Sequence, residues 1–196
     1  MSMKKGLLII MSGPSGVGKG TIRRKVMEDT SLNLAYSVSM TTRAPRAKEV
    51  DGSDYFFVSK EVFDANLKAG NFLEHAEFVG NSYGTPKDYV EKLRNDGKNV
   101  LLEIEVEGAK QVLDKMRGND VFSIFLIPPS YEALEKRIRG RSSESEEIIQ
   151  ERLQKARREM GLKYNYHFIV LNDNVDRAAD EIRSIIRSKI NAKTID

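Results

Sequence analysis

The chain of 196 residues contains no cysteine, which excludes disulfides and thiolate chemistry and suits a reducing compartment such as the cytoplasm. Its only two histidines, His75 and His167, have no metal-ligand spacing and read as structural. No apolar run approaches the roughly 20 residues of a membrane span. Lys4-Lys5 ahead of an apolar run has the outline of a signal peptide, but the run is too short and continues into a glycine-rich loop, so a secretory leader is rejected. No excess of one charge exists either. The 32 basic and 29 acidic residues leave +3, too little to argue for nucleic acid or a membrane surface, though it favours anionic substrates. Repeats and low-complexity linkers are absent. One domain with excursions is the default at this length, and 40% hydrophobic with 31% charged residues is ordinary for a soluble globular protein.

What is present centres on Leu7-Leu8-Ile9-Ile10-Met11-Ser12-Gly13-Pro14-Ser15-Gly16-Val17-Gly18-Lys19-Gly20-Thr21. The apolar run reads as a buried strand, and the polar residues from Arg23 onward suit a helix. Between them lies Gly-x-x-x-x-Gly-Lys, a phosphate-binding loop. A polyphosphate needs several backbone N–H groups turned toward it, and glycine lets the chain curl without a side chain in the way. The following helix adds its positive dipole end, and Lys19 a mobile charge for the β- and γ-phosphates. The strict pattern wants Ser or Thr directly after the lysine to ligate Mg²⁺. Gly20 stands there, with Thr21 one place later, so no direct metal ligand is assigned.

Further along, Tyr36–Ser39 reads as a short strand, and Met40–Arg46 as a basic, proline-interrupted loop. Tyr55–Val58 reads as a strand, Ser59 caps a helix that Gly70 closes, and Phe72–Val79 is another strand before a turn at Gly80-Asn81. Thr85-Pro86-Lys87-Asp88 has the pattern of a helix start, with Thr85 as N-cap. Val100–Glu105 and Val121–Ile127 read as buried strands, Gly108–Met116 as a helix, and Ser130 as the cap of another. Phe168–Leu171 is a last buried strand, and the final helix presents Val175, Ala178, Ala179, Ile182, Ile186 and Ile190 on one face. Strands alternating with helices indicate an α/β fold with a mainly parallel sheet of about five strands flanked by helices. The expected division is a core of about 1–35, 92–137 and 160–196, a small α+β insertion at about 36–91, and an arginine-rich lid at about 138–159, all within a single domain over 1–196.

The insertion carries the candidates for a second anion. Arg43 and Arg46 can grip a phosphate in bidentate fashion, and Tyr55 and Tyr83 either donate phenolic hydroxyls to it or serve as core aromatics. Guanine presents N1–H and a 2-amino group along one edge, and a carboxylate only accepts, so Glu74 or Glu105 in a base pocket would favour guanine over adenine. Taken alone, Glu74 reads as a solvent-facing strand residue. Glu103 and Glu105 end an apolar strand, where ligands of α/β sheets bind, with base recognition or water-mediated metal support as the options. Arg137, Arg139, Arg141, Arg152, Arg157 and Arg158 lie among Glu144, Glu146, Glu147 and Glu151. Two or three are expected to reach phosphate and the rest to form surface ion pairs.

These residues together resemble the guanylate kinase family, nucleoside monophosphate kinases with a P-loop NTP hydrolase-like fold. The resemblance spans nearly the whole chain, through Gly13–Lys19, Ser37–Arg46, Asp51–Val58, Phe72–Ala76, Tyr83-Gly84-Thr85, Ile127–Ser130 and Val170–Asp173. It implies Mg-dependent transfer from ATP to GMP, giving ADP and GDP, with both nucleotides as partners and Mg²⁺ as the cofactor. It assigns Gly13, Pro14, Ser15, Gly16, Val17, Gly18, Lys19, Gly20, Thr21 and Asn172 to ATP. Ser39, Arg43, Arg46, Tyr55 and Tyr83 fall to the GMP phosphate, Glu74, Thr85 and Glu105 to guanine, and Glu103 beside them. Arg137, Arg141 and Arg152 belong to the lid and, with Lys19 and Arg43, to catalysis. Many relatives carry Asp where this chain has Glu103 and Glu105. Rival readings are another monophosphate kinase and a catalytically inert phosphopeptide-binding module. The retained glycines and Lys19 oppose the second. Nothing specifies the oligomeric state, and a homo-oligomer is compatible with the residues.

Overall fold

The computed structural model describes residues 4–78, 80–140 and 145–195. Five parallel strands form the central sheet, in the order β2 (Leu34–Tyr36), β7 (Asn99–Glu103), β1 (Leu8–Ser12), β8 (Val121–Ile127) and β9 (Phe168–Leu171). The apolar run of β1 is continuous because both faces are covered. Leu7, Ile9 and Met11 pack with Ile22 and Val26 of α1 (Lys19–Met27) and with Ala178, Ala179, Ile182 and Ile186 of α7 (Val175–Ile195). Leu8 and Ile10 point the other way, onto Val90 of α3 (Lys87–Asn95) and Ala109 and Val112 of α4 (Val106–Lys115). Each buried Val, Leu, Ile or Met side chain among these contributes about 1.5–3 kcal/mol by burial. This central strand therefore anchors both layers and holds the phosphate loop at its carboxyl end.

A buried charge ties the opposite end of the sheet. Arg94 is 1% exposed and donates from Nε to the Gly6 carbonyl at 3.1 Å, from Nη1 to Glu91 at 2.8 Å, and from Nη2 to Asp120. The last turn of α3 is thereby fastened to the segments leading into β1 and β8.

A second, smaller sheet runs β4 (Tyr55–Phe57), β3 (Ser39–Thr41), β6 (Asn81–Pro86) and β5 (Phe72–Phe78), with only β3 and β4 parallel. Helix α2 (Lys60–Lys68), capped by Ser59, places Phe63 against Phe72 with ring centroids 4.7 Å apart. Gln111 of α4 docks this sheet through the His75 N–H at 3.1 Å and carbonyl at 2.9 Å. Helices α5 (Tyr131–Arg139) and α6 (Glu146–Met160) pack through Leu134, Ile138, Ile149 and Ala156.

Several local expectations are corrected. Helix α1 starts at Lys19, not Arg23, directly after Gly18 in the left-handed region. The strand expected over Tyr36–Ser39 is two strands in different sheets. Ser37 still donates to the Leu101 carbonyl at 3.1 Å, and the chain then crosses to β3, which takes Met40 and Thr41 out of the expected loop. Residues 81–86 form a strand, and α3 opens at Lys87 without a side-chain cap, so Thr85 is not the N-cap. Glu105 lies beyond β7, as the N-cap residue of α4, which begins at Val106 rather than Gly108.

Candidate functional site

The loop between β1 and α1 is shaped by three glycines with positive φ: Gly13 at 149°, Gly16 at 82° and Gly18 at 101°. A Cβ on Gly13 would meet the Leu126 carbonyl oxygen at 2.6 Å, so that position needs glycine for space as well as conformation. Between them, Val17 donates to the Pro14 carbonyl at 3.2 Å. Neighbouring elements brace the curl. The Val17 carbonyl accepts from Asn172 Nδ2 at 2.7 Å and from Arg137 Nη1 at 3.2 Å, while Arg137 Nη2 reaches the Asn172 carbonyl at 3.1 Å. Arg152 of α6 donates to Ser15 Oγ at 3.0 Å. Arg137, Arg152 and Asn172 thus converge on the loop. Arg139 instead pairs with Glu135 and Glu146, the surface pairing expected of some arginines in this span. Arg141 lies outside the described residues.

Lys19 is folded back over the loop, donating to the Gly13 carbonyl at 2.7 Å, with the Glu105 carboxylate 3.4 Å away. Lys155 of α6 approaches the other Glu105 oxygen at 3.4 Å. Burial opposes the charge on Glu105, but Lys19 and Lys155 outweigh it and hold its carboxyl below the usual range. Glu103 differs. Burial pushes its carboxyl up, against the pull of Arg23, Lys19 and Arg24, and Arg23 Nε lies 2.9 Å from Oε2. A Cβ on Gly20 would stand 3.5 Å from Glu103 Oε1. The carboxylate therefore borders the space that a Ser or Thr after the lysine would enter. Thr21, by contrast, has its hydroxyl beside Arg24 Nη2 at 3.4 Å.

The second sheet supplies the other side. Ser39 is opposite Tyr55 in the register of β3 and β4, and Tyr83 is opposite Thr41 across β3 and β6. The Tyr55 and Tyr83 rings are 6.0 Å apart, and the Arg43 guanidinium stands 5.4 Å from the Tyr55 ring centroid. Burial pushes the Tyr55 hydroxyl up, with Tyr83, Glu49 and Glu103 adding to the rise and Arg43 opposing it. The charges of the two sheets are therefore felt at one phenol. Arg46 is exposed and shares the Arg43 loop.

Glu74 is only 6% exposed, which corrects the solvent-facing reading. Its Oε1 accepts the Thr85 hydroxyl at 2.5 Å. A Cβ on Gly108, in the first turn of α4, would fall 2.6 Å from Oε2, so Gly108 makes the room this carboxylate occupies. Burial raises the Glu74 carboxyl against the Thr85 hydrogen bond and Lys115. Glu74 thus reaches the first turn of α4 with Thr85 on its other oxygen, while Glu105 stands at the N-cap of the same helix, where the helix dipole favours negative charge. The arrangement offers acceptors for a donor-rich ligand edge next to a cradle for phosphates. Among the described residues no group of three or more His, Cys, Asp or Glu forms a metal cage, and no helix is long and apolar enough to cross a membrane.

Four participants escape the sequence reading. Gly108 and Lys155 carry no local motif. Arg23 is one more cation on a charged helix. Glu49 does leave a signal, as the one acid in the basic stretch from Arg43. Its carboxylate grips Arg43 and the Arg46 N–H.

The guanylate kinase family model matches residues 5–189. A guanylate kinase of Mesoplasma florum is 54% identical over 182 residues, covering 93% of this chain and 61% of that protein. The chain thus spans about three fifths of the length of that curated relative. The crystal structure of guanylate kinase from Anaplasma phagocytophilum superposes with a TM-score of 0.74 at 34% identity, over 96% of this chain and 88% of that one. An uncharacterised protein from Eubacterium ventriosum shares the fold alone, with a TM-score of 0.51 at 17% identity over 94% and 99% of the two chains.

Proposed function

Since the chain belongs to the guanylate kinase family, we propose that it transfers the γ-phosphoryl group of ATP to GMP, giving ADP and GDP. The observation that carries this reading is the 3.4 Å approach of Lys19 to Glu105. A phosphate-loop cation and a carboxylate of the group assigned to the base lie side by side, so both nucleotides would be held in one site.

In this reading the loop N–H groups, the start of α1 and Lys19 hold the ATP phosphates. Arg137 and Asn172 keep the loop in shape, and Arg152, with Arg141, serves the lid. Arg43, Arg46, Tyr55, Tyr83 and Ser39 receive the GMP phosphate, while Glu74, Thr85 and Glu105 accept from guanine. An oxygen of the GMP phosphate attacks the γ-phosphorus as the bond to the β,γ-bridging oxygen breaks, and that oxygen leaves on ADP. No protein nucleophile is required. Alignment, charge neutralisation and exclusion of water supply the rate.

Mg²⁺ would enter with ATP. The donor set fits, because this ion keeps several waters and takes one or two carboxylates alongside substrate phosphates, and Glu103 borders the side-chain space left open at Gly20. When bound, the ion would supply positive charge against the triphosphate, with Glu103 the carboxylate placed to hold it through water. Coupled ADP production with GMP, AMP, UMP or dTMP as acceptor tests the proposal. GMP is expected to be preferred by orders of magnitude, and a preference for any other acceptor removes the base assignment.

A further inference from the structure

Arg43 has five N–H donors in a planar fork, and their disposition reveals an orienting partner. Its Nη1 and Nη2 meet Glu49 end on, at 2.9 Å to Oε2 and 2.8 Å to Oε1. The second Nη1 proton goes to the Ala44 carbonyl at 2.8 Å. The two remaining donors, Nε–H and the outer Nη2–H, lie parallel along the other edge of the guanidinium. That edge is the one suited to two oxygens of a phosphate. Hydrogen bonding by Glu49 first, and then by Tyr83, raises the affinity of Arg43 for its proton against burial, so the Tyr83 phenol is a further partner of this guanidinium.

Glu49 also fixes the loop. Its Oε2 accepts the Arg46 N–H at 2.8 Å, and its own N–H donates to the Arg46 carbonyl at 3.0 Å. One carboxylate therefore sets the side chain of Arg43 and the backbone of Arg46. The side chains of Arg43 and Glu49 are only 16% and 18% exposed, so water screens the pair less than it would a surface pair. The Tyr55 and Phe57 rings lie within 5.4 and 5.8 Å of the guanidinium and limit where else it can go.

We propose that Glu49 is a positioning residue for the acceptor phosphate, holding Arg43 by its end so that the side edge is presented to GMP. The inference rests on the GMP reading of this site. A carboxylate that blocked the phosphate would occupy the side edge; Glu49 takes the other one. Pre-orienting the fork removes an ordering cost that GMP would otherwise meet on binding. Glu49 touches no reacting atom, so its effect belongs in the capture of GMP and not in turnover at saturation.

The test compares wild type, Glu49→Gln, Glu49→Asp, Arg43→Ala and the Glu49→Gln/Arg43→Ala double variant, by steady-state kinetics and by calorimetric titration with GMP. Glu49→Gln is expected to raise the KM and Kd for GMP about tenfold or more, the effect of about one charge-assisted hydrogen bond. The kcat and the KM for ATP should stay within about twofold of wild type. Glu49→Asp, which keeps the charge on a shorter arm, should fall between them. In the Arg43→Ala background the Gln substitution should add little, because Glu49 acts through Arg43. Unchanged or tighter GMP binding by a folded Glu49→Gln overturns the proposal, as does a full additive loss in the double variant. If Glu49→Gln fails to fold, a folded Glu49→Asp with wild-type GMP affinity overturns it equally. Wild type that turns over GMP with no effect at Glu49 sinks this inference alone; wild type that does not bind GMP sinks the parent reading with it.

Discussion

Gly108→Ala separates stability from recognition. Gly108 lies in the first turn of α4 with ordinary helical φ, so alanine there gains helix propensity of about 1 kcal/mol at most. The new Cβ, however, would stand 2.6 Å from Glu74 Oε2, too close for any contact, and one of the two must move. The carboxylate is the mobile partner, but it is 6% exposed and held by Thr85 at 2.5 Å. Displacing it costs a hydrogen bond to a charged group, about 1.5–3 kcal/mol. Relief of an unfavourable buried charge offsets part of that. The net change in stability should stay within about 1 kcal/mol, a shift in Tm of about 2–4 °C for a domain of this size. Recognition has no such compensation. Losing one charge-assisted contact to guanine should raise the KM for GMP about ten- to a hundredfold, with the KM for ATP unchanged. Thermal melts and initial-rate assays on the same preparation measure both. A variant whose KM for GMP stays within twofold of wild type would refute the placement of Glu74 at the base. A fall in Tm far beyond the expected range would mean that α4 itself had moved.

Three other outcomes follow from the same geometry. Lys19→Ala should abolish most turnover, read by coupled ADP release, while leaving the circular dichroism melt close to wild type, because Lys19 contributes two carbonyl contacts to the loop and an ion pair to a half-exposed Glu105, which is a small loss. Arg94→Met removes the buried tie to Gly6, Glu91 and Asp120 and should cost about 3 kcal/mol in urea denaturation, without a selective change in the KM for GMP. Glu74 gives a pH signature. Burial raises its carboxyl above the ordinary 4.5, so its stabilising contribution is complete below that value and is lost as pH rises through the folded value. Glu74→Gln should therefore gain stability relative to wild type as pH climbs through that window and hold the gain above it; a difference that shrinks with rising pH would contradict the burial argument.

The chain by itself determined whatever is written in contiguous residues. The phosphate loop is one such feature, because three glycines and a lysine within seven residues suffice to curl a backbone around anions. Strands β1, β8 and β9 are others, since a strand in a sheet flanked by helices is mostly apolar along its length. The family resemblance carries the fold and the family in the same way, because each matched block is a run of neighbours in the chain. What the sequence could not specify was which partner a polar side chain would find across the fold. Thr85 has every local mark of a helix cap, and Glu74 takes its hydroxyl from the neighbouring strand. Tyr36 and Ser39 are three residues apart and end in different sheets. The approach of Lys19 to Glu105, the room that Gly108 leaves for Glu74, and the edge of Arg43 that Glu49 occupies are likewise decided by tertiary structure. Hydrogen bonds and ion pairs are short-ranged in space and indifferent to distance along the chain, so only packing selects among the partners on offer.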